Sequence, residues 1–201
     1  MSPLLEKPKE AALRAVGRTV VNFQRLEHNL KLAARLGPVQ GTFQKVQRDF
    51  EKRKERAQSL TLGQAIQAWL SYLEGDPNST TWIPDLFDYS VCMTFSLESD
   101  SSAPDTHAET LRSLLETRNS LVHTRLATFP WSSEEACAEL VVELDAVNAS
   151  VVEQLDYVAA LVREIERVHK ENAEEFVAAI EAAHALHSTG EAIPNPPLER
   201  P

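Results

Sequence analysis

Hydrophobic residues recur at three- and four-residue spacing along most of the chain, and this pattern is typical of amphipathic helices. The first such segment covers residues 8–36 and ends at Gly37-Pro38, because glycine accepts a left-handed cap and proline cannot continue the helix. Similar periodicity covers residues 42–60 and residues 61–73. The pattern predicts a mainly α fold.

The period changes near Val91, where hydrophobic residues at odd positions up to Leu97 alternate with smaller or polar ones. This alternation is typical of a half-buried strand. The nearby Trp82-Ile83 is a candidate partner, but Pro84 limits it since proline is confined to edge positions of a sheet. We expect a short β insertion at about residues 82–98 and leave the partner of its strand open.

Helical periodicity returns from Pro104 to Phe129 and stops at Pro130. Ser132-x-x-Glu135 has the form of a capping box and predicts the start of a long final helix. The apolar pattern of that helix fades after Val168, so it either breaks near residues 169–174 or extends to meet a partner.

Three parts follow from these patterns. Residues 8–170 are expected to form a helical bundle and residues 171–187 a helical extension. Residues 188–201 carry four prolines and are expected to form a disordered tail.

Composition narrows the class of protein. With 201 residues, 43% of them hydrophobic and 25% charged, the chain is expected to be a soluble globular protein. No stretch fits a Rossmann or Walker glycine motif, which excludes those nucleotide sites. Two cysteines and no clustered metal ligands predict no disulfide framework, no metal and no cofactor. The first residues lack an apolar signal segment, so we expect a cytoplasmic protein without membrane contact.

The net charge of −10 argues against a protein that coats nucleic acid through overall positive charge. A local basic site remains open. Residues 45–56 contain six basic and three acidic side chains. A solvated helix with ion pairs is the favoured interpretation of that segment, and an RNA-contact strip is the alternative.

Polar side chains that suggest chemistry lie on the predicted helix 104–129. Arg112, Glu116, Asn119 and His123 follow one another at i, i+4, i+7 and i+11 and form a polar stripe. In this stripe Asn119 can orient the imidazole of His123, and Glu116 can pair with Arg112 or Arg118.

Arg118 instead lies within the apolar arc of the same helix, between Leu115 and Val122. Because a buried unpaired charge is costly, its guanidinium requires a partner, a ligand or a second subunit. The alternative is a structural arginine paired with a carboxylate, and an ordinary half-buried role for His123.

The run Arg118-Asn119-Ser120-Leu121-Val122-His123 resembles the R-x4-6-H signature of the HEPN domains (higher eukaryotes and prokaryotes nucleotide-binding), in which a polar residue follows the arginine. The helix order around "LLETRNSLVHTRL" agrees with this resemblance. It implies an up-down helical bundle over about residues 10–170, with the short β insertion and the long C-terminal helix. Arg163 and His169 also fit the loose spacing, but without a polar residue after the arginine.

The resemblance implies a metal-independent endoribonuclease of toxin or phage-defence type, in which two copies of the motif face RNA across a homodimer. His123 would be the general acid or base, Arg118 would stabilise charge on the phosphorane, and Asn119 would orient either the histidine or the phosphate. Attack by the ribose 2′-OH would leave a 2′,3′-cyclic phosphate. Glu116, Arg112 and Arg125 are supporting candidates.

The resemblance also implies an antitoxin or a defence-system partner protein. Family toxins silenced by a nucleotidyltransferase often carry a tyrosine two residues after the histidine, and this chain has Arg125 there. That mode of neutralisation is therefore not expected. Two other functions stay open: a non-catalytic HEPN module that binds a nucleotide or a partner, and a helical protein-interaction domain.

Overall fold

The computed structural model describes residues 7–36, 39–73, 90–93 and 103–189, which are mainly helical, as the hydrophobic pattern predicts. In chain order the elements are α1 (Pro8–Arg35), β1 (Val39–Thr42), α2 (Phe43–Ser59), α3 (Leu62–Leu73), β2 (Ser90–Met93), α4 (Ala103–Ser120), a π turn (Leu121–Arg125), α5 (Leu126–Thr128) and α6 (Glu134–Thr189). None of the helices described is both long enough and apolar enough to cross a bilayer.

Two compact units make up the chain, Met1–Val162 and Arg163–Pro201. The predicted boundary after residue 170 stays a prediction. α6 has no break at residues 169–174 and is helical up to Thr189, so the first two residues of the predicted tail are helical. The remainder of that tail lies outside the described residues.

The two strands pair antiparallel, with Val39 opposite Met93 and Thr42 opposite Ser90. β2 lies inside the segment 82–98 for which an insertion is expected, and the rest of that segment lies outside the described residues. Its partner is β1, directly before α2, where the sequence pattern predicts no strand. Four residues are too few for alternation to give a clear signal.

α1 begins with Pro8, whose missing N–H costs no hydrogen bond in the first turn of a helix. Its buried side chains follow the helical period: Ala12, Ala15, Thr19, Asn22, Phe23, Leu26, Leu30 and Ala33. The amide of Asn22 donates from Nδ2 to Oδ1 of Asn148 on α6 at 2.7 Å. This buried face joins α1 to the first half of α6.

α3 starts with a reciprocal capping box. The backbone N–H of Gln64 donates to the Thr61 hydroxyl at 3.4 Å, and the Thr61 N–H donates to Oε1 of Gln64 at 2.9 Å. Gly63 follows in the first turn, and a Cβ built there would lie 3.3 Å from Cδ2 of Leu115. The glycine therefore permits a close approach of α3 to α4.

A buried hydrogen-bonded chain links α3, α4 and α6. Nε1–H of Trp69 donates to Nε2 of His107 at 2.9 Å, and Nδ1 of His107 lies 2.5 Å from Oε1 of Gln154. Because Nε2 accepts, the proton of the neutral imidazole is on Nδ1 and is donated to Gln154. The ring of Tyr157 lies 4.5 Å from that of His107. His107 is only 6% exposed, so both of its ring nitrogens require hydrogen-bond partners within the protein.

α6 begins at Glu134, and its cap differs from the predicted one. The hydroxyl of Ser133, rather than that of Ser132, accepts the N–H of Ala136 at 3.2 Å. Within the second unit, Arg167 forms ion pairs with Glu164 and Glu171 along the exposed helix surface.

Burial lowers the pKa of His107, and the hydrogen bond with Gln154 acts in the opposite direction. The unfolded chain then binds more protons than the folded chain below the ordinary histidine pKa of about 6.5. Stability should be complete above that pH and should decline as the pH falls through the lowered value. We expect the thermal midpoint of the native protein to drop between neutral pH and about pH 5.

His107→Phe should weaken this pH dependence, because the titrating group is gone. It should also cost at least about 2 kcal/mol at neutral pH, since the Trp69 N–H and the Gln154 amide lose their partner. His28→Gln, which changes an exposed histidine of α1, is the control and should retain the native pH profile. Thermal melts of all three proteins over this pH range test the prediction. If the thermal midpoint changes equally with pH in the native and His107→Phe proteins, His107 is not the group responsible.

Candidate functional site

The helix that carries the Arg-x4-His motif changes its hydrogen-bond pattern within the motif. α4 ends at Ser120, and the N–H of Leu126 donates to the carbonyl of Leu121, five residues back instead of four. Ser120 and Leu126 both keep helical backbone angles, so one wider turn lies inside an otherwise regular helix. Single π turns of this kind are rare and occur frequently at functional sites.

Core packing accounts for the wider turn. Leu121 belongs to a buried cluster with residues of α1 and α6, and Leu126 packs against the same cluster. In a regular α-helix, residues five apart are separated by about 140° around the axis, so the two leucines would lie at opposite edges of one apolar face. The π turn reduces this separation. The cluster consists of Ala12, Ala15, Leu121, Cys137, Leu140 and Leu144, with Val16, Leu126, Phe129, Trp131 and Val141 at its edge.

The same turn begins three residues after Arg118 and includes His123. These residues are also five apart, and in a regular helix about 140° would separate them. A turn closed by a five-residue hydrogen bond rotates the chain by less per residue, so His123 lies nearer in angle to Arg118. Arg118 is half-buried and His123 is exposed.

Arg118 has a polar neighbour but no counter-charge among the residues that the structure describes. Its Nη1 donates to Oδ1 of Asn119 at 3.0 Å. In the part of the chain that the structure describes, Arg118 pairs with no carboxylate, and the expected pairing of Glu116 with Arg112 or Arg118 is not formed. Asn119 therefore accepts from the arginine, where the sequence suggested that it orients His123. A guanidinium has five N–H donors, so most of those on Arg118 are left for a ligand.

Arg125 is committed elsewhere. Its Nη1 forms an ion pair with Oε1 of Glu143 on α6. This pair links the end of the π turn to α6, and the supporting role of Arg125 stays a prediction. Arg112 and Glu116 are exposed. The groups that the structure brings together are thus Arg118 and Asn119, with His123 on the following turn.

The apolar arc of the helix divides into an inner and an outer part. Leu111, Leu114 and Leu121 are buried, whereas Val122 is 38% exposed. Arg118 lies between the half-buried Leu115 and Val122 on this helix, at the margin of the core. Val122 therefore presents an apolar side chain to solvent directly before His123 in the sequence.

Within the described ranges, no three side chains of His, Cys, Asp or Glu are grouped so as to hold a metal ion. Comparison of the chain with models of protein families, with curated proteins and with solved structures finds no match.

Deletion of single residues tests the π turn. Removing Thr124, which is exposed within the turn, places Leu126 four residues after Leu121, in α-helical register. Both leucines then keep their contacts with the buried cluster. We expect the free energy of unfolding to change by less than about 1 kcal/mol. Urea unfolding followed by far-UV circular dichroism measures it.

Deletion of Ser113, an exposed residue in the regular part of α4, is the matched control. It rotates one part of the helix by about 100° against the other and takes either the leucines or His107 out of the core. A loss of about 4 kcal/mol or more is expected. If the two deletions cost the same, the extra residue in the turn is not what permits the packing.

Proposed function

We propose that this chain is a metal-independent endoribonuclease of toxin or phage-defence type, with a site composed of Arg118, Asn119 and His123. The observation that carries the proposal is the π turn over Leu121–Arg125, which includes the exposed His123 and begins three residues after the half-buried Arg118. The same residues resemble the R-x4-6-H signature of HEPN domains, and the proposal includes a HEPN-type bundle with its β insertion at about residues 82–98.

The reaction needs a group that takes a proton at one oxygen and supplies one at another. The ribose 2′-oxygen attacks the adjacent phosphorus, its proton passes to the imidazole of His123, and the P–O5′ bond breaks. The departing 5′-oxygen takes a proton from an imidazolium, so the products are a 2′,3′-cyclic phosphate and a 5′-hydroxyl. Histidine suits both transfers because an imidazole ordinarily titrates near neutral pH. The exposure of His123 leaves it open to an RNA strand.

Arg118 supplies the positive charge that the crowded phosphorane requires. A guanidinium stays protonated at all relevant pH values, and its planar fork matches two phosphate oxygens. No described carboxylate neutralises Arg118, and Asn119 accepts a hydrogen bond from only one of its nitrogens, Nη1. Asn119 is therefore a positioning residue that holds the guanidinium in place.

A second copy of the chain completes the proposed site. Val122, exposed between Leu121 and His123, offers an apolar contact next to the motif. Burial of that contact against a symmetry-related helix would bring two histidines and two arginines around one phosphodiester. One imidazole would then act as base while the other acts as acid.

A second candidate is a non-catalytic HEPN module that binds a nucleotide or a partner protein. Apolar side chains on two elements favour it: Val122 is 38% exposed on the π turn and Val142 is 72% exposed on α6. A dimer that binds a ligand at Arg118 and leaves all RNA intact would support this candidate against the ribonuclease.

The ribonuclease proposal predicts cleavage of single-stranded RNA by the purified protein in EDTA. His123→Ala and Arg118→Ala should each lower the rate at least about 100-fold, since general acid-base and charge-stabilising groups each contribute at that level. Thermal midpoints should be unchanged, because both side chains lie at the surface or the core margin. Gel analysis and phosphatase sensitivity of the fragments identify the 2′,3′-cyclic ends.

A second Arg-His pair in the chain provides a control for this experiment. Arg163→Ala and His169→Ala alter the second Arg-His pair with comparable spacing and should leave the cleavage rate unchanged. Activity that survives in His123→Ala, or that falls equally in the control variants, would show that the Arg118–His123 site is not responsible.

A further inference from the structure

α2 has a charge balance unlike that of the whole chain. It contains six basic and three acidic residues, in a protein whose net charge is −10. Arg48, Lys52 and Arg56 follow one another at four-residue spacing and are all exposed. Side chains four apart on a helix are neighbours, so these three form one row about 12 Å long, here named the basic row.

The spacing within the basic row disfavours an isolated helix. Like charges at i and i+4 repel each other, and the basic row contains two such pairs in succession, Arg48 with Lys52 and Lys52 with Arg56. The helix dipole favours Arg56 in the last turn, but it gives no comparable benefit to Arg48 in the first half of α2. The arrangement is therefore one that an external anion would stabilise.

The ion pairs expected from the sequence do not neutralise the basic row. Among the described residues, Arg48, Lys52 and Arg56 pair with no carboxylate. Glu51 instead binds Lys54, whose Nζ lies 3.7 Å from its Oε2. Lys54 is two residues from Lys52 and lies about 160° away from it around the helix.

We propose that the basic row of α2 binds the phosphate backbone of single-stranded RNA. The identity of the polymer rests on the proposed ribonuclease function. Three cations in line along one helix match a chain of regularly spaced phosphates, each of which requires only a positive neighbour. The binding is accordingly independent of base sequence.

Charge complementarity favours a polyphosphate over an acidic protein surface. A strand of RNA carries a charge at every nucleotide, so it can engage the whole row at once. In-line attack by a 2′-OH also requires a linkage that is free to leave helical geometry, which a single strand provides. The basic row and the Arg118–His123 site belong to the same compact unit.

Fluorescence anisotropy with a labelled oligouridine, titrated with full-length His123→Ala protein so that the probe stays intact, tests this proposal. Each cation that neutralises a phosphate of a single strand contributes about 0.7 to the slope of log K against log salt concentration. The triple variant Arg48→Gln, Lys52→Gln, Arg56→Gln should lower that slope by about 2 and weaken binding at low salt at least tenfold.

A control triple variant removes the same total charge from paired cations. Arg18→Gln, Lys54→Gln and Lys170→Gln each take one member from an exposed ion pair. Binding and salt slope should then stay close to those of the parent. Equal losses in both triple variants would mean that only net charge matters and would overturn the basic row. Binding of polyglutamate but not of oligouridine would also overturn it, in favour of an acidic protein.

A second substrate separates failure of the basic row from failure of the ribonuclease proposal. In the native background, the basic-row triple variant should cleave the dinucleoside phosphate UpU at the native rate, while kcat/KM for the polymer falls at least tenfold. Unchanged kcat/KM for the polymer would reject RNA binding by the basic row and would leave the ribonuclease proposal in place. Salt-dependent binding through the row without His123-dependent cleavage of either substrate would support the row and reject the ribonuclease.

Discussion

Two leucines that must enter the same apolar cluster determine the geometry of the candidate site. Leu121 and Leu126 are five residues apart, and both pack on the cluster between α1 and α6. A regular helix would separate them by about 140°, because it turns about 500° over five residues. The hydrogen bond from the N–H of Leu126 to the carbonyl of Leu121 closes a wider turn and reduces this separation. The polar residues of the turn are consequently placed by core packing, whose energy exceeds what their own contacts provide.

The opposite end of the helix is fixed by a different interaction. His107, near the start of α4, is hydrogen-bonded to Trp69 on one side and to Gln154 on the other. A neutral imidazole is suited to this place because it donates through one nitrogen and accepts through the other. One end of α4 is thus tied to α3 and α6 through polar groups, and Leu121, directly after its other end, packs against α1 and α6. A site that depends on orientation gains from a helix held at both ends.

Periodicity predicted the helices because their buried faces repeat every three or four residues, as α1 does from Ala12 to Ala33. It could not reveal β1, which is four residues long and pairs with residues about fifty positions away. Periodicity also cannot reveal the π turn, because it assumes a constant rotation of 100° per residue. A usable signal existed, since Arg125 occupies the position four residues after Leu121 while the next leucine follows one residue later. The partner of Arg125 was beyond sequence reasoning, because Glu143 is one of many carboxylates on α6.

The net charge of the chain predicts repulsion of RNA, whereas the local charge of α2 predicts attraction. The distance of each charge from a phosphate determines which effect is larger. At about 0.1 M salt the Debye length is about 10 Å, so the acidic remainder of the unit is largely screened from a phosphate that lies on α2. The basic row is of similar length, and its three side chains act at contact distance. Contacts with phosphate also release counterions, a gain that screening of distant charge does not cancel. Under the proposed function, the overall charge would limit how far an RNA strand is attracted through solution, whereas α2 would determine where such a strand binds.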